Sequence, residues 1–199
     1  VVSDELNHAS IIDGCRMSRS PIAVAAHNDV EHVDRLLTER TADRAIVVAD
    51  AVFSMDGDEA PVLELGEVCA RRGALLILDE AHSVFGPALK PLSEIAGLDL
   101  LKVVTLSKGL GAMGGAVCGD RAVIDLLINR TRPFIFTTGL SPADTAAALA
   151  AVQITRSAEG TALIERVRGF TDQLSPGHPS PIVPIVVGAE ADTVAAAAA

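Results

Sequence analysis

Short β-forming apolar runs alternating with segments of helical periodicity constrain this chain more than any other feature. Residues 22–25, 45–49, 74–78, 101–106 and 115–118 are brief and almost uniformly apolar, the pattern of strands buried on both faces rather than strands with one wet side. Between them, residues 32–38, 61–72 and 122–129 repeat their apolar positions at helical spacing. Pro61 suits a first helical position and Gly73 a C-terminal cap. Strand, helix and strand in alternation predict an α/β fold: a mostly parallel sheet with helices on both faces.

Val1 and Val2 read as part of a further strand. From Ser141 the pattern changes to an Ala-rich helix over 142–157, a second helix over 159–174 and a Pro-rich turn over 175–181. A strand over 182–187 and a final Ala-rich helix follow. We expect a boundary here, with a large domain over residues 1–158 and the beginning of a small C-terminal domain over 159–199. Both ends read as cut, because the chain starts inside a strand and stops inside a helix.

Composition narrows the function. With 199 residues, 49% of them apolar, the chain can bury one substantial core. A net charge of −10 opposes a nucleic-acid surface, which is built from clustered Lys and Arg. Cys15, Cys69 and Cys118 fit no metal-ligand spacing and read as core or incidental residues. No apolar run reaches the roughly 20 residues of a membrane span and the N-terminal residues lack signal-peptide order, so a cytoplasmic location is the default expectation.

Ligands in parallel α/β sheets sit at the carboxyl ends of strands, so polar residues directly after apolar runs are the ones to weigh. Three places qualify: Ser54, the DEAHS segment from Asp79 to Ser83, and Thr105 to Lys108. An acid ending a strand as apolar as that before Asp79 calls for a cation or a hydrogen-bond donor; capping the following turn would also satisfy it. Lys108 lies between a strand and a glycine cluster, where an amine can be held against a ligand and form a Schiff base. A solvated lysine in a flexible turn is the bland alternative. The two residues together match what pyridoxal phosphate (PLP) requires, a lysine for its aldehyde and a carboxylate for its ring nitrogen. His27, His32 and His178 read as solvated, and the acids Asp56, Asp58 and Glu59 as loop and helix-start features.

The segments DELNHASIIDG, HND, VFSMDGDEAP, LDEAHS, TLSKGLG, GGAV and RPFIFTTGLSP follow one another in an order and spacing that resembles the α-oxoamine synthases, a PLP-dependent group of fold type I. The resemblance implies that Lys108 binds the cofactor covalently and later moves the substrate's α-proton. Asp79 would pair with the ring nitrogen, His82 with the ring hydroxyl oxygen, and His8 would stack on the ring and help position the substrate. Ser54 would lie beside the ring oxygen. Thr105 resembles the family's phosphate ligand, and Thr138 resembles the threonine that reaches the phosphate in a neighbouring subunit, which implies a homodimer.

The reaction implied is a decarboxylative condensation of an amino acid with an acyl thioester. L-alanine with pimeloyl-CoA or an acyl-carrier equivalent, as in biotin biosynthesis, is favoured. Members that use glycine or serine, and a non-catalytic partner subunit, are the alternatives. The stretch after DEAHS, VFGPALKPLSEIAGL, departs from the family's glycine-rich turn. DEAH is also the metal box of some helicases, but no GxxxxGK[ST] loop is present.

Overall fold

The computed structural model describes residues 1–84 and 92–198; the departure from the family's pattern after Ser83 falls partly outside them. Its centre is a six-stranded sheet built from β1 (Val2–Asp4), β2 (Ala23–Ala25), β3 (Ala45–Asp50), β4 (Ala74–Asp79), β5 (Asp99–Thr105) and β6 (Gly115–Gly119), in the order β2-β1-β3-β4-β5-β6. The first five strands run parallel and β6 runs antiparallel to β5. Parallel neighbours need long crossovers. Helices α1 (Ala9–Met17), α2 (Val30–Glu39) and α3 (Val62–Arg72) supply the first three, the β4-to-β5 connection lies partly outside the described residues, and the β5–β6 pair is joined by the loop that carries Lys108.

The core lies where β3 and β4 meet α2 and α3. Leu76 and Leu78 are fully buried, with Val47, Ala49, Phe53, Leu37, Val68 and Cys69 packed into the same cluster. Each such leucine contributes about 2 kcal/mol by leaving water. Burial also pushes the Cys69 thiol up to about 12, so it is an inert core residue; Cys15 is buried and Cys118 exposed. Gly73 ends α3 at φ 61°, with its N–H on the Ala70 and Cys69 carbonyls, a left-handed cap that glycine adopts without a Cβ penalty.

The later helices are α4 (Arg121–Arg130), α5 (Arg132–Ile135), α6 (Pro142–Thr155), α7 (Ala158–Leu174) and α8 (Glu190–Ala197). They bury little: Ala148 in α6 and Gly160 and Thr171 in α7 are their buried residues.

Three expectations change. Helix α1 was not read from the sequence: Gly14 sits inside it and its N-cap is His8 rather than one of the usual capping residues. Strand β6 was expected to be buried, yet all five of its residues are exposed: it ends the sheet, with β5 as its one strand neighbour among the described residues. Residues 182–187 form no strand, and Ile185 and Val186 are 78% and 89% exposed. A β-prone run becomes a strand only where a sheet edge receives it.

Candidate active site

The carboxyl ends of β3, β4 and β5 bring together residues that are far apart in sequence. Asp50 and Asp79 end β3 and β4 and are register partners, so they stand side by side on one face of the sheet. Asp79 Oδ1 accepts the Ala81 N–H at 2.9 Å, which starts the turn carrying His82; its Oδ2 has no hydrogen-bond partner among the described residues. Lys108 Nζ and His82 Nε2 are 2.8 Å apart. Burial, then the Lys108 charge, holds the His82 imidazole below its usual value, with Asp79 partly opposing. A neutral imidazole at neutral pH offers one lone pair and one N–H.

The β5–β6 loop presents Lys108 in a fixed frame. Leu106 N–H bonds the Gly114 carbonyl, Ala112 N–H the Leu106 carbonyl and Gly111 N–H the Lys108 carbonyl, at 2.8 to 2.9 Å. Gly111 and Gly114 take φ of 59° and 106°, the left-handed conformations this tight return needs. At the base of the loop Thr105 Oγ1 lies 2.9 Å from Ser107 Oγ.

His8 is the N-cap of α1. Its ring Nδ1 accepts the Ser10 N–H at 3.2 Å and lies 2.8 Å from Ser10 Oγ, which makes Nε2 the nitrogen available to a ligand. Ser54 is half-buried in the turn after β3. Thr138 is exposed in the coil between α5 and α6 and bonds none of these groups.

Two features escaped the sequence reading. The first is Asp50, 3% exposed: its Oδ2 accepts the His8 N–H at 2.7 Å. A carboxylate that ends a run of buried residues is the signal that marked Asp79 and marks Asp50 equally. The second is the segment after α7. Ser180, 2% exposed, donates its hydroxyl to the Gly57 carbonyl at 2.6 Å across 123 residues of sequence. It seats Pro181 and Ile182 on the wall of a cleft of about 170 Å³ that also holds Ala81, Val84, His82 and Lys108.

The three histidines read as solvated are engaged. His27 bridges Asp4 Oδ1 at 3.0 Å and Asp58 Oδ2 at 2.8 Å and meets the Phe53 ring edge-on. Asn28, at φ 54°, adds bonds from its backbone N–H to Asp4 and from Nδ2 to Asp58 and the Glu59 carbonyl. His32 Nδ1 accepts the Ala26 N–H, and His178 Nδ1 lies 3.0 Å from the Ser180 carbonyl. Asp58 therefore belongs to a clasp that holds the Ser54 turn to the ends of β1 and β2.

Residues 1–196 match the family described as aminotransferase class I and II. The chain is similar to the 8-amino-7-oxononanoate synthase of Anaeromyxobacter dehalogenans, 47% identical over all of this chain and 53% of the relative. It is also similar to that of Mycolicibacterium gilvum, 51% identical over 77% of this chain and 42% of the relative. It thus spans about half the length of the curated relatives it matches. A serine palmitoyltransferase from S. paucimobilis, solved with PLP and myriocin, superposes with a TM-score of 0.75 at 31% identity, over 84% of this chain and 45% of that one. The 8-amino-7-oxononanoate synthase of Francisella tularensis superposes at 0.65 and 26%, over 87% of this chain and 52% of that one. With strand-end lysine, carboxylate and imidazole in the same frame, the chain belongs to the aminotransferase class I and II family, in the α-oxoamine synthase branch of the PLP-dependent fold-type-I proteins.

Proposed function

We propose that this chain holds PLP through Lys108, and that the whole protein condenses L-alanine with a pimeloyl thioester, pimeloyl-CoA or an acyl-carrier equivalent, to give 8-amino-7-oxononanoate with loss of carbon dioxide. The observation that carries the reading is the meeting of Lys108 Nζ and His82 Nε2 at 2.8 Å in a strand-end cleft beside Asp79. The donor set fits the cofactor: an amine for its aldehyde, a carboxylate with an available oxygen for its ring nitrogen, an imidazole for its ring hydroxyl, and the Thr105 hydroxyl for its phosphate. Bound PLP supplies an electron sink that stabilises negative charge on the α-carbon of an amino acid.

The chain's own groups do the rest. Lys108 Nζ, 2.8 Å from His82 Nε2, would take the α-proton. With the cofactor bound, His8 would cover the ring face and orient the substrate, and Ser54 would meet the ring oxygen. Thr138, exposed on this protomer, would reach the phosphate held by a second copy, which makes a homodimer the working form; its place would be the cytoplasm. Residues 1–158 form the cofactor-binding domain, and 159–199 begin the smaller one. The relatives at 47% and 51% identity favour alanine over glycine or serine as the amino acid.

The test is PLP titration of the purified chain and of a Lys108→Ala variant. A visible absorbance band on the parent, lost in the variant, with borohydride fixing the cofactor mass to the Lys108 peptide, supports the reading. No band on the folded, full-length protein replaces it with a non-catalytic partner subunit.

A further inference from the structure

Asp50 is the one carboxylate among the fully buried polar residues of the described chain. A buried acid is costly unless something holds it. Here the holding is reciprocal. Asn7, itself 4% exposed, donates through Nδ2 to Ser3 Oγ at 2.9 Å and to the Val48 carbonyl at 2.8 Å. Its Oδ1 accepts the Asp50 N–H at 2.9 Å. Asp50 Oδ2 then returns across the same gap to accept the N–H of the next residue, His8, at 2.7 Å. Side chain to backbone in both directions, the two residues lock the entry of α1 onto the end of β3, and His8 is the residue at the lock.

Three charged or titratable groups face Asp50 from the elements around it: His8 from the start of α1, Asp79 from β4 and Lys108 from the β5–β6 loop. Two carboxylates side by side against one lysine form an acidic pair rather than a single counter-ion.

We propose that Asp50 is a positioning residue of the cofactor site: it fixes His8 through the main-chain N–H and supplies, beside Asp79, the second carboxylate facing Lys108. The His8 part stands on geometry alone, and the cofactor part rests on the PLP reading above. Burial is the main reason the Asp50 carboxyl is pushed up to about 6; the His8 N–H, His8 and Lys108 oppose the rise and Asp79 adds to it. The carboxylate therefore forms as pH rises through 6, and the N–H acceptor at His8 gains its charge in the same interval. Asp50→Asn keeps an oxygen that can accept the N–H and removes the charge, whereas Asp50→Ala removes both.

The experiment follows the His8 backbone amide by ¹H–¹⁵N NMR from pH 5 to 8 in the parent chain, Asp50→Asn and Asp50→Ala, with spectral dispersion reporting whether each is folded. The expected result is a pH-dependent shift of that amide centred near 6 in the parent and absent in Asp50→Asn. Amide exchange at His8 should be about tenfold faster in Asp50→Ala, the loss of one charged hydrogen bond. PLP titration of the same samples at pH 7.5 should show binding weakened about tenfold in Asp50→Ala. If the His8 amide shifts with pH as expected but the parent takes up no PLP, the positioning of His8 by Asp50 stands and the PLP reading fails. If the parent takes up PLP and a folded Asp50→Ala binds it equally, the proposal is overturned and the PLP reading survives. A His8 amide indifferent to both substitutions also overturns it. Should Asp50→Ala not fold, Asp50→Asn alone decides: an unchanged pH-dependent shift of the His8 amide overturns the proposal.

Discussion

Lys108 Nζ and His82 Nε2 stand 2.8 Å apart across 26 residues of sequence, one at the end of the β5 side of the sheet and the other in the turn after β4. Burial and then the lysine's charge hold the imidazole low. Lys108→Ala removes the second of these, so His82 should titrate at higher pH in the variant than in the parent. The His82 ring-proton shift followed by NMR measures it; an identical midpoint in both would show that the contact carries no charge coupling.

The His27 clasp should make stability depend on pH with a definite sign. Burial is the largest single influence on His27 and lowers its pKa, but the bonds to Asp4 and Asp58 and their charges together raise it above 6.5. A pKa raised by folding contributes stability that is complete below the unfolded value, near 6.5, and is lost as pH rises through the folded one. His27→Ala should therefore cost more at pH 6 than at pH 9, about 2 kcal/mol at the lower value. Urea midpoints of parent and variant at the two pH values test this, and an equal loss at both would remove the clasp's charge from the account.

Gly57 is the point where the Ser180 segment crosses the Ser54 turn. It has φ +70°, and a Cβ built there overlaps the Ile182 carbonyl oxygen. Gly57→Ala should cost about 1–2 kcal/mol from the left-handed backbone alone and should release Pro181 and Ile182 from the cleft. Hydrogen exchange at Ile182, whose N–H bonds Ser180 Oγ, should quicken in the variant. Unchanged exchange would show that the crossing does not hold the segment.

Leu76 packs at the middle of the sheet, 0% exposed, in register with Val47 on one side and Leu100 on the other. Leu76→Ala should destabilise the chain by about 3 kcal/mol, the cost of lost burial plus the cavity left behind. Chemical denaturation checks it, and a loss below about 1 kcal/mol would mean that β3 to β5 can collapse around the gap.

Much of the fold was legible because the physics that makes it is local. The strands over 45–50 and 74–79 were read almost to the residue, since an unbroken apolar run is what a strand covered on both sides needs. The end of α3 at Gly73 was legible for the same kind of reason: a left-handed cap is a property of one residue. Asp79, His82 and Lys108 were marked by their place directly after such runs. Helix α1 was not legible, because Gly14 interrupts it and its N-cap, His8, is outside the usual capping residues.

What the sequence by itself determined is the alternation of strands and helices and the polar residues that end the strands, since both follow from propensity and hydrophobic period along the chain. Tertiary structure alone decided three things: that Asp50 stands beside Asp79 and holds His8, that His27 is clasped rather than solvated, and that Ser180 docks on Gly57 while residues 182–187 form no strand. Each is a contact between segments that are distant in sequence. Side-chain hydrogen bonds of that kind depend on strand order and register, which no local pattern in the chain encodes.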